Sequence, residues 1–433
     1  MAAPPAFHPS AAPLIGEGAR SPPSGPWAVL GWAAYLACSW TWCIGMFLPV
    51  LLVRDFGLWG FVVFAVPNVI GAAAMGWVLS RSGAEAIRLH HAAAVRAFSV
   101  VTAMFQAFFF AWIFARVGVE QRAAVPTSPL VPAIAFIPLC IIPVLLISGP
   151  DIRPRRAAAA VLLVISAIVI FGGFWPKGAL DLPTPLLPPE HIPALALVCL
   201  FGFGLCPYLD ATFLRTRTAV ANTPSRAAFG IGFLLLFAAM IVGTLLYTPA
   251  LLSRGPWWFD NALPTQLGLL TALHFAPQLF FTSQAHARES TVPGQWFAPI
   301  WFWLPAALAV GGGMLLFALE PTGVQAGGEF IYRLFMSFYG LVFPAYVWVC
   351  VIPRRSRGSG DRPAARAAIA PPTRGSLVVC ALAVALASPC YWLGFIERQT
   401  WWLVPGVAIV LLARLCAPRP VRAFERSPSL GDS

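Results

Sequence analysis

Five polar side chains recur at helical spacing in the second half of the chain. Thr271, His274, Gln278, Thr282 and His286 are separated by 3, 4, 4 and 4 residues, so they share one face of a helix. The surrounding stretch, 261–287, contains no Asp, Glu, Lys or Arg. A polar stripe in so apolar a segment must face protein or a water-filled cavity, since exposure to lipid is costly. Its groups could hydrogen-bond a solute, and the adjacent hydroxyls of Thr282 and Ser283 could offer oxygens to a hard cation. The plainer reading is bonding between helices, worth about 0.6 kcal/mol per contact. Pro277 within the stripe predicts a kink that frees the carbonyl of Leu273. A weaker stripe, Ser99, Thr102 and Gln106, lies earlier at spacings of 3 and 4. Asp210 is the most deeply embedded acid, five positions before Arg215. An ionisable group inside a span is a functional candidate by default; its alternative is a helix-end carboxylate paired with Arg215 or Arg217.

These residues sit in a chain built for lipid. Of 433 residues, 59% are hydrophobic and 10% charged, against about 25% charged in soluble domains. That excludes a soluble enzyme or a nucleic-acid binder, despite a formal charge of +12, because the arginines punctuate apolar runs and form no patch. Twelve charge-free stretches follow: 21–53, 56–80, 97–115, 123–150, 157–176 and 191–209 (spans 1 to 6), then 227–253, 261–287, 290–319, 334–353, 375–396 and 399–413 (spans 7 to 12). Crossing a bilayer takes about 20 apolar residues of helix. Backbone groups find no partners in lipid, so an all-α polytopic membrane protein is predicted.

Counting Lys and Arg on alternate sides of twelve spans gives 21 against 7. The positive-inside rule then places both termini in the cytoplasm of a multi-pass protein of the plasma (inner) membrane. Residues 1–26, rich in Pro, Ala and Ser without an apolar run, read as a disordered cytoplasmic tail and not as a cleaved signal. The nine cysteines fall mostly inside spans with no CxxC spacing, so they read as packing residues. The longest cytoplasmic connection, 354–374, is basic and follows span 10. The predicted division is therefore a ten-helix core at 27–353, that loop, two accessory helices at 375–416, and a cytoplasmic tail at 417–433. Two five-helix inverted repeats followed by two extra helices would produce this pattern.

Such repeats require spans 1 and 6 to be equivalent and both interrupted. Span 1 carries Ser39, Thr41, Gly45 and Pro49; span 6 carries Gly202, Gly204 and Pro207, with Asp210 just beyond. Unwound backbone at matching positions of two halves frees amides and carbonyls for a ligand near the bilayer midplane.

Two short motifs carry a family resemblance. The run Gly202-Phe-Gly204-Leu-Cys-Pro207-Tyr-Leu-Asp210-Ala-Thr-Phe-Leu-Arg215 resembles the sixth core helix of sodium/solute symporters. Phe281-Thr282-Ser283-Gln284-Ala285-His286 resembles the late helix 8 of sodium-coupled members of the amino acid–polyamine–cation superfamily. The resemblance implies a LeuT-type fold and sodium at Thr282 and Ser283. Two features depart from the family: Gln284 and His286 stand where an acid usually follows the hydroxyls, and an extra N-terminal helix is missing.

The expected function is secondary active transport of a small solute across the lipid bilayer by alternating access, with cation-coupled symport as its form. Ser39, Thr41, Gly202, Gly204, Asp210, His274 and Gln278 are the expected solute-binding residues, and Thr282 and Ser283 the metal ligands; no catalytic residue and no resident cofactor besides a sodium ion is expected. A major-facilitator-like transporter is one alternative. An integral membrane enzyme acting on a lipid-linked substrate is the other, although the scattered acids form no catalytic cluster.

Overall fold

A computed structural model describes residues 25–124, 151–176, 178, 180, 182–252, 264–290, 299–319, 327–353 and 369–418. The described residues are almost all helical. Among them, seven helices are long and apolar enough to cross a membrane, with two shorter apolar helices at Ile300–Leu315 and Thr400–Cys416. The fourth expected span, 123–150, lies almost wholly outside the described residues.

Span 1 begins with helix Pro26–Trp40, whose proline sits in the first turn where a missing N–H leaves nothing unpaired. Thr41 and Trp42 leave the helix, and a second helix runs from Cys43 to Val78. The parting of spans 1 and 2, expected at Arg54–Asp55, falls two residues later. The helix passes through both charges and turns only at Gly57, at φ +66°, a conformation open to glycine. Span 2 then packs on span 6 so closely that a side-chain carbon on Gly71 would lie 2.2 Å from the Phe203 carbonyl oxygen.

Span 6 is likewise interrupted: helix Ile192–Leu205, a tight turn at Cys206–Leu209, then helix Ala211–Ala219. Breaks in the first and sixth spans are what an inverted repeat demands, and spans 5 and 10 both end in a wide π turn, at Ile168–Gly172 and Val347–Val351. The irregularity predicted at Pro277 takes another form. A π turn at Thr271–Phe275 precedes it, leaving Pro277 in the first turn of helix Ala276–Glu289, where it is tolerated.

Spans 11 (Arg374–Tyr391, continuing to Ile396) and 12 pack on each other, and also on spans 10 and 6. They are closer to the core than accessory helices need be. His91 bridges the Tyr346 hydroxyl (2.9 Å) and the Ala370 carbonyl (3.1 Å), fixing the end of the basic loop against span 10. Burial pushes the imidazole down to about 4.

Candidate functional site

The break in span 1 is closed in part by its own residues: the Thr41 amide and hydroxyl both bond the Ala37 carbonyl (3.0 and 2.8 Å), and Trp42 Nε1 bonds the Ser39 carbonyl (2.6 Å). Trp42 makes no side-chain cap for the helix that starts at Cys43. Other spans add further bonds. The Cys43 amide donates to Gln106 Oε1 (3.1 Å), and the Cys43 carbonyl accepts from the Tyr332 hydroxyl (3.1 Å). One turn on, the Met46 carbonyl accepts from the Tyr247 hydroxyl (2.6 Å). The Thr282 hydroxyl donates to the Cys38 carbonyl at 3.1 Å and lies 3.5 Å from the Thr41 carbonyl oxygen. Three oxygens thus converge from a broken helix and from span 8, the donor type a hard cation takes. Ser283 is half-buried beside them in sequence.

The break in span 6 is closed locally. Pro207 lacks an amide and sits where the chain leaves the helix. Asp210, fully buried, then caps the next helix, with Oδ1 accepting from the Thr212 and Phe213 amides (2.8 and 3.1 Å) and the Thr212 hydroxyl (2.6 Å). Neither Arg215 nor Arg217 pairs with it, which overturns the helix-end ion pair; Arg217 instead donates to the Leu79 carbonyl and the Ser225 hydroxyl, both at 2.8 Å. The second oxygen of Asp210 faces His286 Nε2 at 3.6 Å, and neither atom has a hydrogen-bond partner. His286 Nδ1 meets the Ser99 hydroxyl at 3.1 Å. The Ser39 and Thr212 hydroxyls share a 2.8 Å hydrogen bond, so the two breaks touch.

Both polar stripes are buried against protein, from Thr271 to His286 on span 8 and from Ser99 to Gln106 on span 3. They do not line the cavity beside the break. That cavity, about 80 Å³, lies on the other side of the break, between the second half of span 1 and spans 2, 6 and 10. Trp40, Trp42, Asn68, Gly202 and Tyr339 line its inner part, and Asn68 Oδ1 is held by Trp40 Nε1 at 2.7 Å. Of the seven expected solute-binding residues, only Gly202 lines it. Ser39, Thr41 and Asp210 are buried in the junction of the breaks. His274 and Gln278 reach the Ser166 hydroxyl on span 5 (2.9 and 3.4 Å). Gly204 is exposed, with open space where a side chain would project. The physical reason is orientation: Gly202 and Gly204, two residues apart, point to different faces of one helix.

The outer end of the cavity is ionic. Arg54 grips Glu329 through two hydrogen bonds (2.9 and 3.1 Å) and meets Asp55 at 2.8 Å. Arg333 bonds Glu329 (2.6 Å) and Asp55, and Arg398 reaches Glu329 at 3.4 Å. Sequence reasoning missed Trp40, Asn68, Tyr339, Arg333 and Arg398. It sought polar stripes within spans, and these residues are aromatic, stand singly at span ends or, for Asn68, stand alone within a span. Asn68, a lone amide in the charge-free stretch of span 2, was the available signal.

No family model matches the sequence, and no curated protein matches it. Solved structures do align with it. A crystal structure of the Eremococcus coleocola manganese transporter, in complex with an aromatic bis-isothiourea substituted compound, aligns with a TM-score of 0.50 at 14% identity, over 90% of this chain and 94% of that one. Mhp1, a nucleobase-cation-symport-1 family transporter in a closed conformation with bromovinylhydantoin bound, aligns at 0.48 and 13%, over 91% and 94%. A Na+-coupled sialic acid symporter, substrate-bound and outward-open, gives 0.45 and 12%, over 90% and 91%. At these identities the likeness is one of fold, and the manganese transporter carries it. The chain is an all-α membrane protein with the LeuT-type fold, which overturns the major-facilitator-like alternative.

Proposed function

We propose that this protein is a secondary active transporter of a small solute, working by alternating access in the plasma (inner) membrane with both termini cytoplasmic. The observation that carries the reading is the meeting of two broken helices, through Ser39 and Thr212, beside a cavity that Trp42 and Gly202 line. Broken helices meeting beside a cavity are the arrangement around which one half of a transporter rocks against the other. The solute would sit against Gly202, Trp40 and Trp42. Ser39, Thr41 and Asp210 would hold the breaks in shape, and His274 and Gln278 would tie span 8 to span 5. For cation coupling, Thr282 and Ser283 with the carbonyls of Cys38 and Thr41 would hold a sodium ion, whose binding would link span 8 to the break in span 1. Support for this site is the convergence of three oxygens within hydrogen-bonding distance.

The test is uptake into proteoliposomes of labelled amino acids, nucleobases and carboxylates, under an imposed sodium gradient. Accumulation above protein-free liposomes is expected for at least one solute. It should vanish in Gly202→Trp, whose side chain would fill the cavity. Equal uptake by wild type and a correctly folded Gly202→Trp would overturn the reading. Sodium dependence that survives Thr282→Ala/Ser283→Ala would overturn the cation site alone.

A further inference from the structure

The inner part of the cavity keeps little polarity to itself. Trp40 and Trp42 form an aromatic wall there, with ring centroids 4.6 Å apart, and Tyr339 stands edge-on to Trp42 at 5.6 Å. The polar atoms of these rings are spent on protein. The Trp42 indole N–H donates to the Ser39 carbonyl (2.6 Å), and the Tyr339 hydroxyl shares a 2.7 Å hydrogen bond with the Thr102 hydroxyl. The Trp40 indole N–H donates to Asn68 Oδ1 (2.7 Å). The charged lining residues, Asp55, Arg333 and Arg398, all stand at the outer end.

The bond from Trp40 fixes what Asn68 offers. An indole N–H can only donate, so the atom that meets it is the amide oxygen, and the amide nitrogen must point elsewhere. Asn68 is 2% exposed and lines the cavity. Its nitrogen has no hydrogen-bond partner among the described residues, and it is not one of the polar atoms sealed off from all space. The two N–H groups therefore open on the cavity. Packing holds the residue there: Gly71, three positions on and so on the same face of span 2, lets that span close onto the Phe203 carbonyl of span 6.

This arrangement selects by charge and by hydrogen-bond sense. A buried amide donor is favourable when an acceptor meets it, so a solute gains by presenting one at this end. A carboxylate would supply an acceptor but would leave water without an opposite charge to meet it. The indole faces would attract an ammonium, but its N–H groups would confront those of Asn68, donor against donor.

We infer that the solute is uncharged at the end it places against the indoles, with an apolar or aromatic body on Trp40 and Trp42 and a carbonyl or comparable acceptor taken by the amide nitrogen of Asn68. Trp40 then acts on specificity twice, by touching the body and by holding the Asn68 amide with its donors inward. This inference rests on reading the cavity as the solute site, but it concerns binding and is tested without transport. The full-length protein in detergent is heated with benzamide, with protonated benzylamine and with benzoate. A ligand bound only by the folded state raises the melting temperature with concentration. Benzamide should stabilise at about tenfold lower concentration than either ion, the ratio that one buried hydrogen bond supplies. In Asn68→Leu that advantage should vanish, each variant being compared with its own ligand-free melting temperature. Trp40→Phe keeps a ring but frees the amide to turn, so the gap between benzamide and benzylamine should narrow, whereas a merely structural role would weaken all three ligands alike. No stabilisation by benzamide, either ion as effective as benzamide, or a preference that survives Asn68→Leu would overturn the inference. Should Asn68→Leu not fold, an unchanged benzamide-to-benzylamine ratio in Trp40→Phe would do so. Benzamide binding without uptake of any solute in the liposome experiment would count against transport and leave this assignment standing. Uptake of a carboxylate, with benzamide and benzoate equally effective, would do the reverse.

Discussion

The two breaks solve one problem in opposite ways. Each leaves helix termini with unpaired amides and carbonyls in the middle of a membrane, where no water replaces the lost partners. At span 6 the answer lies within seven residues, Pro207 to Phe213: Pro207 gives up an amide and Asp210 caps two others. At span 1 the local bonds of Thr41 and Trp42 to the Ala37 and Ser39 carbonyls are joined by bonds from across the fold. Gln106, Tyr332, Tyr247 and Thr282 reach in from spans 3, 10, 7 and 8 to bond Cys43, Met46 and Cys38. A break capped locally persists when its neighbours move. One tied also to four other spans depends on where those spans stand.

The sharpest way to break this comparison is Asp210. Its removal in Asp210→Ala strands two amides at once, and the loss of stability should be about 2 kcal/mol or more, given the worth of a helix cap and of a buried unsatisfied donor. Asp210→Asn keeps an acceptor oxygen and should retain most of the cap. Thermal unfolding in detergent reads both; equal losses would mean that the charge, and not the cap, matters there.

Next in size is Gln106→Leu, which removes the partner of the Cys43 amide across the span 1–span 3 contact. A loss of about 1–2 kcal/mol is expected for one orphaned buried donor. Because that donor belongs to the distributed break, hydrogen exchange at Cys43 and Ile44 should quicken before global unfolding. Unchanged exchange there would remove the claim that span 1 is held from outside.

Tyr332→Phe deletes the hydroxyl that bonds the Cys43 carbonyl. About 1 kcal/mol should be lost, and the effect should be less than additive with Gln106→Leu, since both act on one residue. Full additivity would show two independent contacts instead of one shared support.

Ser39→Ala tests the hydrogen bond that joins the breaks. Its cost should be near 0.6 kcal/mol, the usual worth of a side-chain bond between membrane helices. A double-mutant cycle with Thr212→Val should recover most of that as coupling.

The control is His91, distant in sequence from both breaks. Burial holds its pKa near 4, below the unfolded value of 6.5, so the unfolded chain binds the extra proton between these values. Stability should be full above pH 6.5 and decline as pH falls from 6.5 towards 4. His91→Gln should flatten that part of the profile and leave the responses at both breaks intact.

Much of this was legible in order along the chain. The span 6 break could be read because its parts, Gly202, Pro207 and Asp210, are contiguous and act through backbone rules. The stripes on spans 3 and 8 could be read because helical period alone brings Ser99 to Gln106, and Thr271 to His286, onto single faces. Their destination could not. Periodicity places residues on a face without saying which neighbour that face meets, so His274 and Gln278 were assigned to a cavity that instead lies beyond Trp42. The position of the break in span 1, at Thr41 and Trp42, was likewise beyond reach, because a threonine bonding the carbonyl four residues back, as Thr41 does to Ala37, also occurs inside continuous helices.

By itself the sequence determined the membrane class and the all-α character. These follow from counts of apolar and charged residues and from the absence of water in lipid, which act on every segment independently. Only the tertiary structure decided which buried polar atoms found partners. It brought Ser39 to Thr212 across 173 positions, and Arg54 to Glu329 across 275. It also carried Arg398, from a connection expected to lie outside the core, to the mouth of the cavity. Hydrogen bonds and ion pairs act over a few ångströms, and a contact between residues so far apart along the chain exists only once the helices between them are packed.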